Sequence, residues 1–113
     1  MPRHSLKGRK LIRDLLENSR RVSSDRLTLH YQIGLQEAGD DYLVAFLIPG
    51  RAGKAVQRNR IKRWLREDFR DLQKQRKVNG GFIVRFKSMA ENADHPELSG
   101  ELAKLYSAIM PNE

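Results

Sequence analysis

The sequence predicts an α+β fold, a two-layer α/β sandwich in which helices pack against a small mixed sheet. Three observations support this. Residues 27–34 alternate between apolar and polar side chains, and residues 42–48 form a nearly continuous apolar run. Residues 55–75 repeat their apolar side chains at helical spacing. With two further helical patterns and one more strand, the predicted order is α-β-β-α-β-α. A chain of 113 residues suits one domain with this architecture, spanning residues 1–113.

The N-terminal part predicts an arm followed by a helix. The first eight residues are expected to form a flexible arm, because Pro2, Ser5 and Gly8 discourage regular structure. Residues 9–20 carry an apolar stripe at i, i+1, i+4 and i+5 spacing, which predicts a helix. The stripe consists of Leu11, Ile12, Leu15 and Leu16. The polar residues 21–26 are predicted to be a turn.

Two strands are predicted next. In 27–34 the apolar face holds Leu27, Leu29, Tyr31 and Ile33, and the polar face holds Thr28, His30 and Gln32. This alternation is typical of a half-buried strand, and it places His30 away from the core. The turn around Gly39 separates this strand from 42–48. Its continuous apolar character predicts a central strand that pairs with the first.

The second half of the chain predicts helix, strand and helix. The core side of helix 55–75 is predicted to hold Ile61, Trp64, Leu65, Phe69 and Leu72. Residues 79–81, Asn-Gly-Gly, end that region and precede a strand at 82–86. Residues 97–109 have the spacing of a last helix. Its predicted core stripe is Leu98, Leu102, Leu105, Tyr106 and Ile109.

Positive charge is concentrated in one part of the chain. The net charge is +8 and the pI is about 10.2, and residues 50–77 hold eleven of the 22 Lys and Arg residues. Residues 88–113 are acidic, with five Asp or Glu and one Lys. Such clustering favours a nucleic-acid partner. The alternative at this point is a solvated basic surface with no partner.

The composition also limits the cellular compartment and the kinds of metal site that the chain can have. The chain has no cysteine, which excludes disulfides and cysteine-ligated zinc or iron–sulfur sites. The longest apolar run, 42–48, is far too short to cross a bilayer. No apolar segment follows the basic N-terminus to serve as a signal-peptide core. We therefore expect a cytoplasmic protein with no membrane partner.

The helix at 55–75 carries the strongest functional signal. Arg58, Lys62 and Arg66 stand at i, i+4 and i+8, which places them on a stripe about 12 Å long. The residues that flank the stripe are Asn59, Arg63 and Arg70. No acidic residue lies between Ala55 and Arg66 to relieve the repulsion among these cations. Guanidinium groups bind phosphate through paired hydrogen bonds, so the stripe predicts a polyanion partner.

The sequence contains no nucleotide phosphate loop and no spacing typical of metal ligands or of a nucleophile and its base. The loop 50–54 is not a nucleotide phosphate loop, because two residues separate its glycines and no Ser or Thr follows Lys54. Its glycines are expected to allow close approach of the backbone. The three histidines are scattered relative to the carboxylates, with no metal-ligand or nucleophile–base spacing. Two alternatives stay open here: a general RNA- or DNA-binding module of ribosomal or nucleoid type, and a stand-alone nuclease.

One segment resembles a known family. The run Gly53-x-Ala55-Val56-x-Arg58-Asn59-Arg60-Ile61-Lys62-Arg63-x-Leu65-Arg66-Glu67 is similar to the signature of the protein subunit of bacterial ribonuclease P. Weaker similarity extends over roughly residues 6–109. The resemblance implies the small basic subunit of a ribonucleoprotein that removes the 5′ leader of precursor tRNA by endonucleolytic hydrolysis. It also implies a left-handed β-α-β crossover, which periodicity would not suggest.

The resemblance also implies the site and the partners. The catalytic RNA subunit would hold Mg²⁺ and perform the chemistry, so no catalytic residue, no protein metal site and no obligate protein partner are expected. The residues expected to bind the RNA subunit are Arg51, Lys54, Arg58, Asn59, Arg60, Lys62, Arg63, Arg66 and Arg70. The leader of precursor tRNA is expected in a cleft between the first helix and the sheet. The residues expected to line that cleft are Ile12, Leu16, His30, Arg58 and Lys62.

This chain departs from the family pattern in its cleft. The family usually has aromatic residues on the first helix, where this sequence has Ile12 and Leu16. His30 stands at a strand position that is often Tyr. Stacking of leader bases on the first helix is therefore expected to be weakened or replaced by apolar contact.

Overall fold

The structure, a computed structural model, describes residues 4–110 of the chain. Three helices and four strands make up the fold of this part. In chain order they are α1 (Arg9–Asn18), β1 (Arg20–Ser23), β2 (Leu27–Ile33), β3 (Tyr42–Leu47), α2 (Ala55–Gln75), β4 (Gly80–Phe86) and α3 (His95–Ala108). All six predicted elements are present, so the predicted fold class is confirmed. The strand β1 is an addition that makes the order α-β-β-β-α-β-α.

The four strands form one mixed sheet in the order β1-β2-β4-β3. β4 lies inside the sheet, antiparallel to β2 and parallel to β3. The edges are therefore β1 and β3, and the continuous apolar run that predicted a central strand stands at an edge instead. α2 connects the parallel pair β3 and β4. The left-handed sense that the family resemblance implies for this β-α-β crossover stays a prediction.

The main core lies between one face of the sheet and the helices α2 and α3. Leu27 and Leu29 of β2 and Phe82 and Val84 of β4 are fully buried there. The helices contribute Ile61, Leu65, Phe69, Leu98, Leu102, Leu105 and Tyr106. The spacings that predicted both helix stripes thus match the observed core. The predicted apolar face of β2 matches at Leu27, Leu29 and the partly buried Tyr31, but Ile33, at the end of the strand, is 47% exposed.

A second, smaller core lies on the opposite face of the sheet. Its buried members are Leu6, Leu15, Leu35 and Ile83. α1 packs there through Leu15, which is 2% exposed, and the partly buried Ile12 and Leu16. The face of the sheet that alternation assigned to solvent is therefore covered in part by α1.

The prediction of a flexible arm is wrong for residues 4–6. Ser5 forms a parallel bridge with Val44. The Leu6 N–H donates to the Val44 carbonyl at 2.9 Å, and the Val44 N–H donates to the His4 carbonyl at 2.7 Å. Leu6 is 3% exposed. The edge strand β3 offers unpaired backbone groups, and the arm satisfies some of them. Residues 1–3 lie outside the described part of the chain.

The predicted turn at 21–26 is also partly wrong. Arg20–Ser23 pairs antiparallel with β2, and Arg21 stands opposite His30. Three of the four residues of this edge strand are exposed, so it has no apolar alternation by which it could be recognised. Its order comes from backbone pairing with β2, which sequence periodicity does not report.

The loops are tied to the helices by side-chain hydrogen bonds. Asp94 caps α3 by accepting from the Glu97 N–H at 2.9 Å, which explains why the helix begins at His95. Gln73 is 5% exposed and bonds both the N–H and the carbonyl of Val78, each at 3.0 Å. This pair fixes the connection between α2 and β4.

Candidate nucleic-acid interface

One side of α2 is held by the main core. Ile61, Leu65 and Phe69 are at most 2% exposed, and Trp64 and Leu72 pack against the same cluster with partial exposure. These are the five residues that helical spacing predicted for the core side. Because this side faces the sheet, the charged residues at the other positions of each turn project away from it.

The loop before α2 fixes where the helix begins. The Lys54 N–H donates to Gln57 Oε1 at 2.9 Å, and Arg58 Nε donates to the Gly53 carbonyl at 3.1 Å. A Cβ atom on Gly53 would lie 2.6 Å from Gln57 Oε1 and 3.0 Å from the Cβ atom of Ala90. Gly53 therefore permits close packing against the side chains of Gln57 and Ala90, whereas Gly50 has no neighbour within 4 Å of the position of a Cβ atom.

We use the term α2 basic face for the residues that the family resemblance assigned to the RNA subunit. They are Arg51, Lys54, Arg58, Asn59, Arg60, Lys62, Arg63, Arg66 and Arg70. Arg58 and Lys62 are half-buried, and the other seven are exposed. The structure thus brings all nine to the start of α2 and along its outer side. Their role in binding RNA stays a prediction.

The α2 basic face is poorly neutralised by the protein itself. Within residues 4–110 its one ion pair joins Arg63 Nε to Glu67 Oε1 at 3.9 Å. Both side chains of that pair are about half exposed or more, so it contributes little. Uncompensated cations along one helix attract a polyanion and lose that attraction as salt increases.

A groove lies beside the edge strand β3, next to the α2 basic face. We call it the edge groove. Its first part has a volume of about 560 Å³ and lies between the arm, α1, β3 and α2. Ile12, Val44 and Phe46 supply apolar surface, and the cations on its α2 side are Lys62, Arg66 and Arg70. The groove thus pairs an apolar wall with a basic one.

The second part of the edge groove continues past the end of β3. It also has a volume of about 560 Å³. Phe46, Leu47 and Lys62 line both parts. Leu16 adds apolar surface to the second part, and its further cations are Arg51, Arg85 and Lys87. The two parts form a path bordered by positive charge, with a half-buried aromatic ring where they meet.

The residues expected in the leader cleft do not all come together. Ile12 lines the first part of the edge groove, Leu16 lines the second, and Lys62 lines both. Arg58 lines neither part and instead bonds the Gly53 carbonyl. The resemblance implied a leader cleft between the first helix and the sheet, whereas the edge groove is bordered by α2 as well.

The expectation that His30 lies on an exposed strand face is wrong. The residue is 1% exposed, because α1 and its cluster cover that face of the sheet. Neither ring nitrogen has a hydrogen-bond partner. Burial lowers the pKa of His30, and the nearby charges of Arg85 and Arg21 lower it further. The imidazole is therefore neutral and offers no open surface to a base.

Sequence reasoning missed several residues of the edge groove. Phe46 belongs to a continuous apolar run, which gives no sign that one member stands at an open edge. Arg85 offers a usable signal, since it is the one charged residue in the strand β4 and is exposed beside buried Val84 and Phe86. Lys87 follows directly after that strand.

The acidic and histidine residues at positions 4–110 are scattered over the fold, apart from one small group. No group of three or more that could hold a metal ion occurs among residues 4–110. His95, Asp68 and Ser99 do come together, but both His95 Nε2 and Ser99 Oγ bond the Asp68 carboxylate. The serine thus bonds the carboxylate and not the imidazole, so this trio lacks the order of a nucleophile–base relay.

Comparison with known proteins decides the family. A family model described as Ribonuclease P matches residues 1–110. The chain belongs to the ribonuclease P protein family. The ribonuclease P protein component of Nocardioides sp. (strain ATCC BAA-499 / JS614) is 29% identical over 101 residues, covering 89% of this chain and 86% of that protein. The component from Listeria monocytogenes serotype 4b is 31% identical over 67 residues, and the match spans 59% of this chain and 56% of that protein.

Solved structures of the family share this fold. The ribonuclease P protein of Staphylococcus aureus superposes with a TM-score of 0.82 at 18% identity, covering 93% of this chain and 94% of that one. The protein from Thermotoga maritima gives a TM-score of 0.80 at 21% identity, covering 96% and 100%. The mixed sheet with three helices is thus the architecture of the family. No helix in residues 4–110 is both long and apolar enough to cross a membrane.

Proposed function

We propose that this chain is the protein component of a ribonuclease P holoenzyme. It binds the catalytic RNA subunit and the 5′ leader of precursor tRNA and so promotes endonucleolytic 5′ maturation of tRNA in the cytoplasm. The observation that carries the proposal is the uncompensated α2 basic face next to a groove with one apolar and one basic wall. Membership in the family supports the same function.

The α2 basic face is assigned to the RNA subunit. Its seven exposed members follow one side of α2 and the loop before it. Cations spaced four residues apart on a helix are separated by about 6 Å along its axis, which is close to the spacing of phosphates along a nucleic-acid strand. Each cation that neutralises a phosphate releases a counterion, so docking is expected to weaken steeply as salt rises.

The edge groove is assigned to the single-stranded leader. Proteins that bind single strands combine cations that follow the backbone with apolar or aromatic surfaces on which bases stack. Here Lys62, Arg66 and Arg70 supply the cations, and Ile12 and Phe46 supply the apolar wall. Phe46 thus offers an aromatic ring on β3 in a chain whose first helix lacks one on the groove side.

The proposed role of the protein is electrostatic and positional. Bringing the RNA subunit and precursor tRNA together opposes two phosphate backbones, and the cations of α2 reduce that repulsion. The Mg²⁺ that supports phosphodiester hydrolysis is assigned to the RNA subunit, as membership in the family suggests. The protein then binds and orients the leader and contributes no catalytic side chain.

A reconstitution assay tests this function. The purified chain alone is expected not to cleave precursor tRNA, whereas it should stimulate cleavage by the ribonuclease P RNA of the same genome at low Mg²⁺. Metal-dependent cleavage by the protein alone would instead support a stand-alone nuclease. Absence of stimulation, with equal binding to any duplex, would support a general RNA- or DNA-binding module.

A further inference from the structure

Three side chains on the α3 side of α2 form a column. The guanidinium carbon of Arg60 lies 5.9 Å from the centroid of the Trp64 ring. The Trp64 and His95 rings are parallel, with centroids 5.1 Å apart. Both distances fall in the ranges for cation–π contact and for offset stacking. The column therefore connects α3, through the one tryptophan of the chain, to a member of the α2 basic face.

The lower end of the column is fixed by hydrogen bonds. His95 Nε2 lies 3.1 Å from both carboxylate oxygens of Asp68. Ser99 Oγ donates to Asp68 Oδ2 at 2.6 Å. The Asp68 side chain is 18% exposed, so these bonds are partly shielded from water. The imidazole is thus held in one orientation beneath the indole.

Arg60 and His95, the two neighbours of the Trp64 ring, belong to different elements of the fold. Arg60 stands one helical turn before Trp64, and Asp68, which holds His95, stands one turn after it. The guanidinium contacts the indole from the preceding turn of α2, and the imidazole, which bonds Asp68, stacks on the indole from α3. Contact with both groups and with the main core leaves the indole little open surface for stacking on an RNA base. Its contribution to RNA binding has to pass through Arg60.

Arg60 is suited to this arrangement. The residue is exposed, and within residues 4–110 it forms no ion pair with an acidic side chain. A free arginine loses rotamer entropy when it binds phosphate, which weakens the interaction. A guanidinium that stacks on an aromatic ring keeps its N–H edges available for phosphate while its motion is restricted.

We propose that Trp64, held in place by His95, is a positioning residue that orients Arg60 toward a phosphate of the RNA subunit. The inference rests on the proposed function, because it assigns Arg60 to that RNA. It adds that a residue with no RNA contact of its own, supported by α3, sets the affinity of the α2 basic face.

The test is a double-mutant cycle on affinity for the ribonuclease P RNA. Trp64→Leu is expected to weaken binding by roughly threefold to tenfold, the range of a moderately exposed cation–π contact. Trp64→Phe, which keeps an aromatic face, should retain most of the affinity. In an Arg60→Gln background, Trp64→Leu should have no further effect. An equal reduction in both backgrounds would mean that Trp64 only packs the helix, and would overturn the proposal.

A measurement without RNA separates this inference from the proposed function. In the free protein, the δ-methylene protons of Arg60 should show an upfield ring-current shift by NMR that Trp64→Leu removes and Trp64→Phe largely preserves. Absence of that shift in the wild-type chain would overturn the column whatever the RNA does. A wild-type chain that shows the shift but does not bind the RNA would contradict the proposed function and, with it, the role assigned to Arg60.

Discussion

His30 is buried on the α1 side of the sheet with neither ring nitrogen hydrogen-bonded. An imidazole in this position costs stability, because its polar atoms are removed from water without finding a partner in the protein. Arg21 stands opposite it on β1, and Arg85 lies on the neighbouring strand β4. Burial and the charge of both arginines lower the pKa of His30. The residue therefore makes the folded state sensitive to acid.

Replacing this imidazole tests that sensitivity. Above the ordinary pKa of 6.5, His30 is neutral in both the folded and the unfolded state. As pH falls below that value, the unfolded state takes up a proton that the folded state resists, so the free energy of unfolding falls. His30→Phe is expected to be more stable than wild type by about 1 kcal/mol near pH 8 and by more near pH 5.5, measured by urea unfolding. His4 and His95 are present in both proteins, so their contributions to the pH dependence of the free energy of unfolding cancel in the difference. An equal difference at the two pH values would contradict the account.

The apolar wall of the edge groove is tested through leader preference. Ile12→Ala and Phe46→Leu each remove apolar surface from the groove while preserving the nearby cations. Each is expected to lower the ratio of affinities for leader-bearing and mature tRNA, with Phe46→Leu lowering it about fivefold or more because base stacking is removed. Val56→Ala is the matched control, since Val56 is 71% exposed on α2 and does not line the groove. An unchanged ratio in a folded variant would show that the residue only packs the core.

Among the helices and strands, the sequence predicts those whose apolar residues repeat at a regular local spacing. The predicted bounds of α2, 55–75, agree with the observed helix Ala55–Gln75. β1 is not predicted, because backbone pairing with β2 orders this strand and its own side chains show no apolar alternation. The same reason applies to the arm, since Leu6 is buried by residues far along the chain. The groove beside β3 also depends on strand order, which periodicity does not contain.

The basic stripe of α2 is tested through salt dependence. Lys62→Ala with Arg66→Ala removes two cations that border the edge groove and belong to the α2 basic face. The log–log slope of RNA-subunit affinity against salt should flatten by roughly one to two units, about 0.7–0.9 for each phosphate that is no longer neutralised. Lys104→Ala, on α3, should leave the slope unchanged. If the double variant keeps the wild-type slope, the stripe does not bind phosphate.

The attachment of α3 to the β1–β2 turn is expected to serve stability alone. Glu101 accepts hydrogen bonds from Ser24 Oγ, from the Arg26 N–H at 2.8 Å and from the Arg26 guanidinium at 2.8 Å. Burial by itself raises the pKa of Glu101, but these hydrogen bonds outweigh it and hold the pKa below its ordinary value of 4.5. The stabilisation is therefore present above that pH and disappears as pH falls through the lowered pKa.

Removing that carboxylate separates stability from binding. Glu101→Ala should lower the free energy of unfolding by roughly 1–3 kcal/mol at neutral pH, because it removes the acceptor of Ser24 Oγ and of the Arg26 N–H, while the Arg26 guanidinium keeps Glu97. Chemical denaturation measures this change. Affinity for the RNA subunit should stay at the wild-type value under conditions where the variant is folded. A large decrease in affinity in the folded variant would place α3 in the RNA interface.

Across the whole molecule, charge is distributed unevenly. The α2 basic face and the edge groove carry uncompensated cations, whereas residues 88–113 hold five acidic residues and one lysine. The sequence alone predicts this asymmetry and a nucleic-acid partner, because charge clusters and the Arg58-Asn59-Arg60 segment are local. It does not predict which apolar residues border the cations. That arrangement depends on β3 standing at the edge of the sheet, between α1 and α2.

Site-directed hydroxyl-radical cleavage tests the central claim most directly. The chain has no cysteine, so one introduced cysteine carries a tethered iron chelate at a defined place. Arg63→Cys on the α2 basic face should cleave the RNA subunit, Ser5→Cys in the edge groove should cleave the leader, and Lys104→Cys on α3 should cleave neither. Strong cleavage from position 104, or none from positions 63 and 5 in an assembled holoenzyme, would contradict the assignment of these two surfaces.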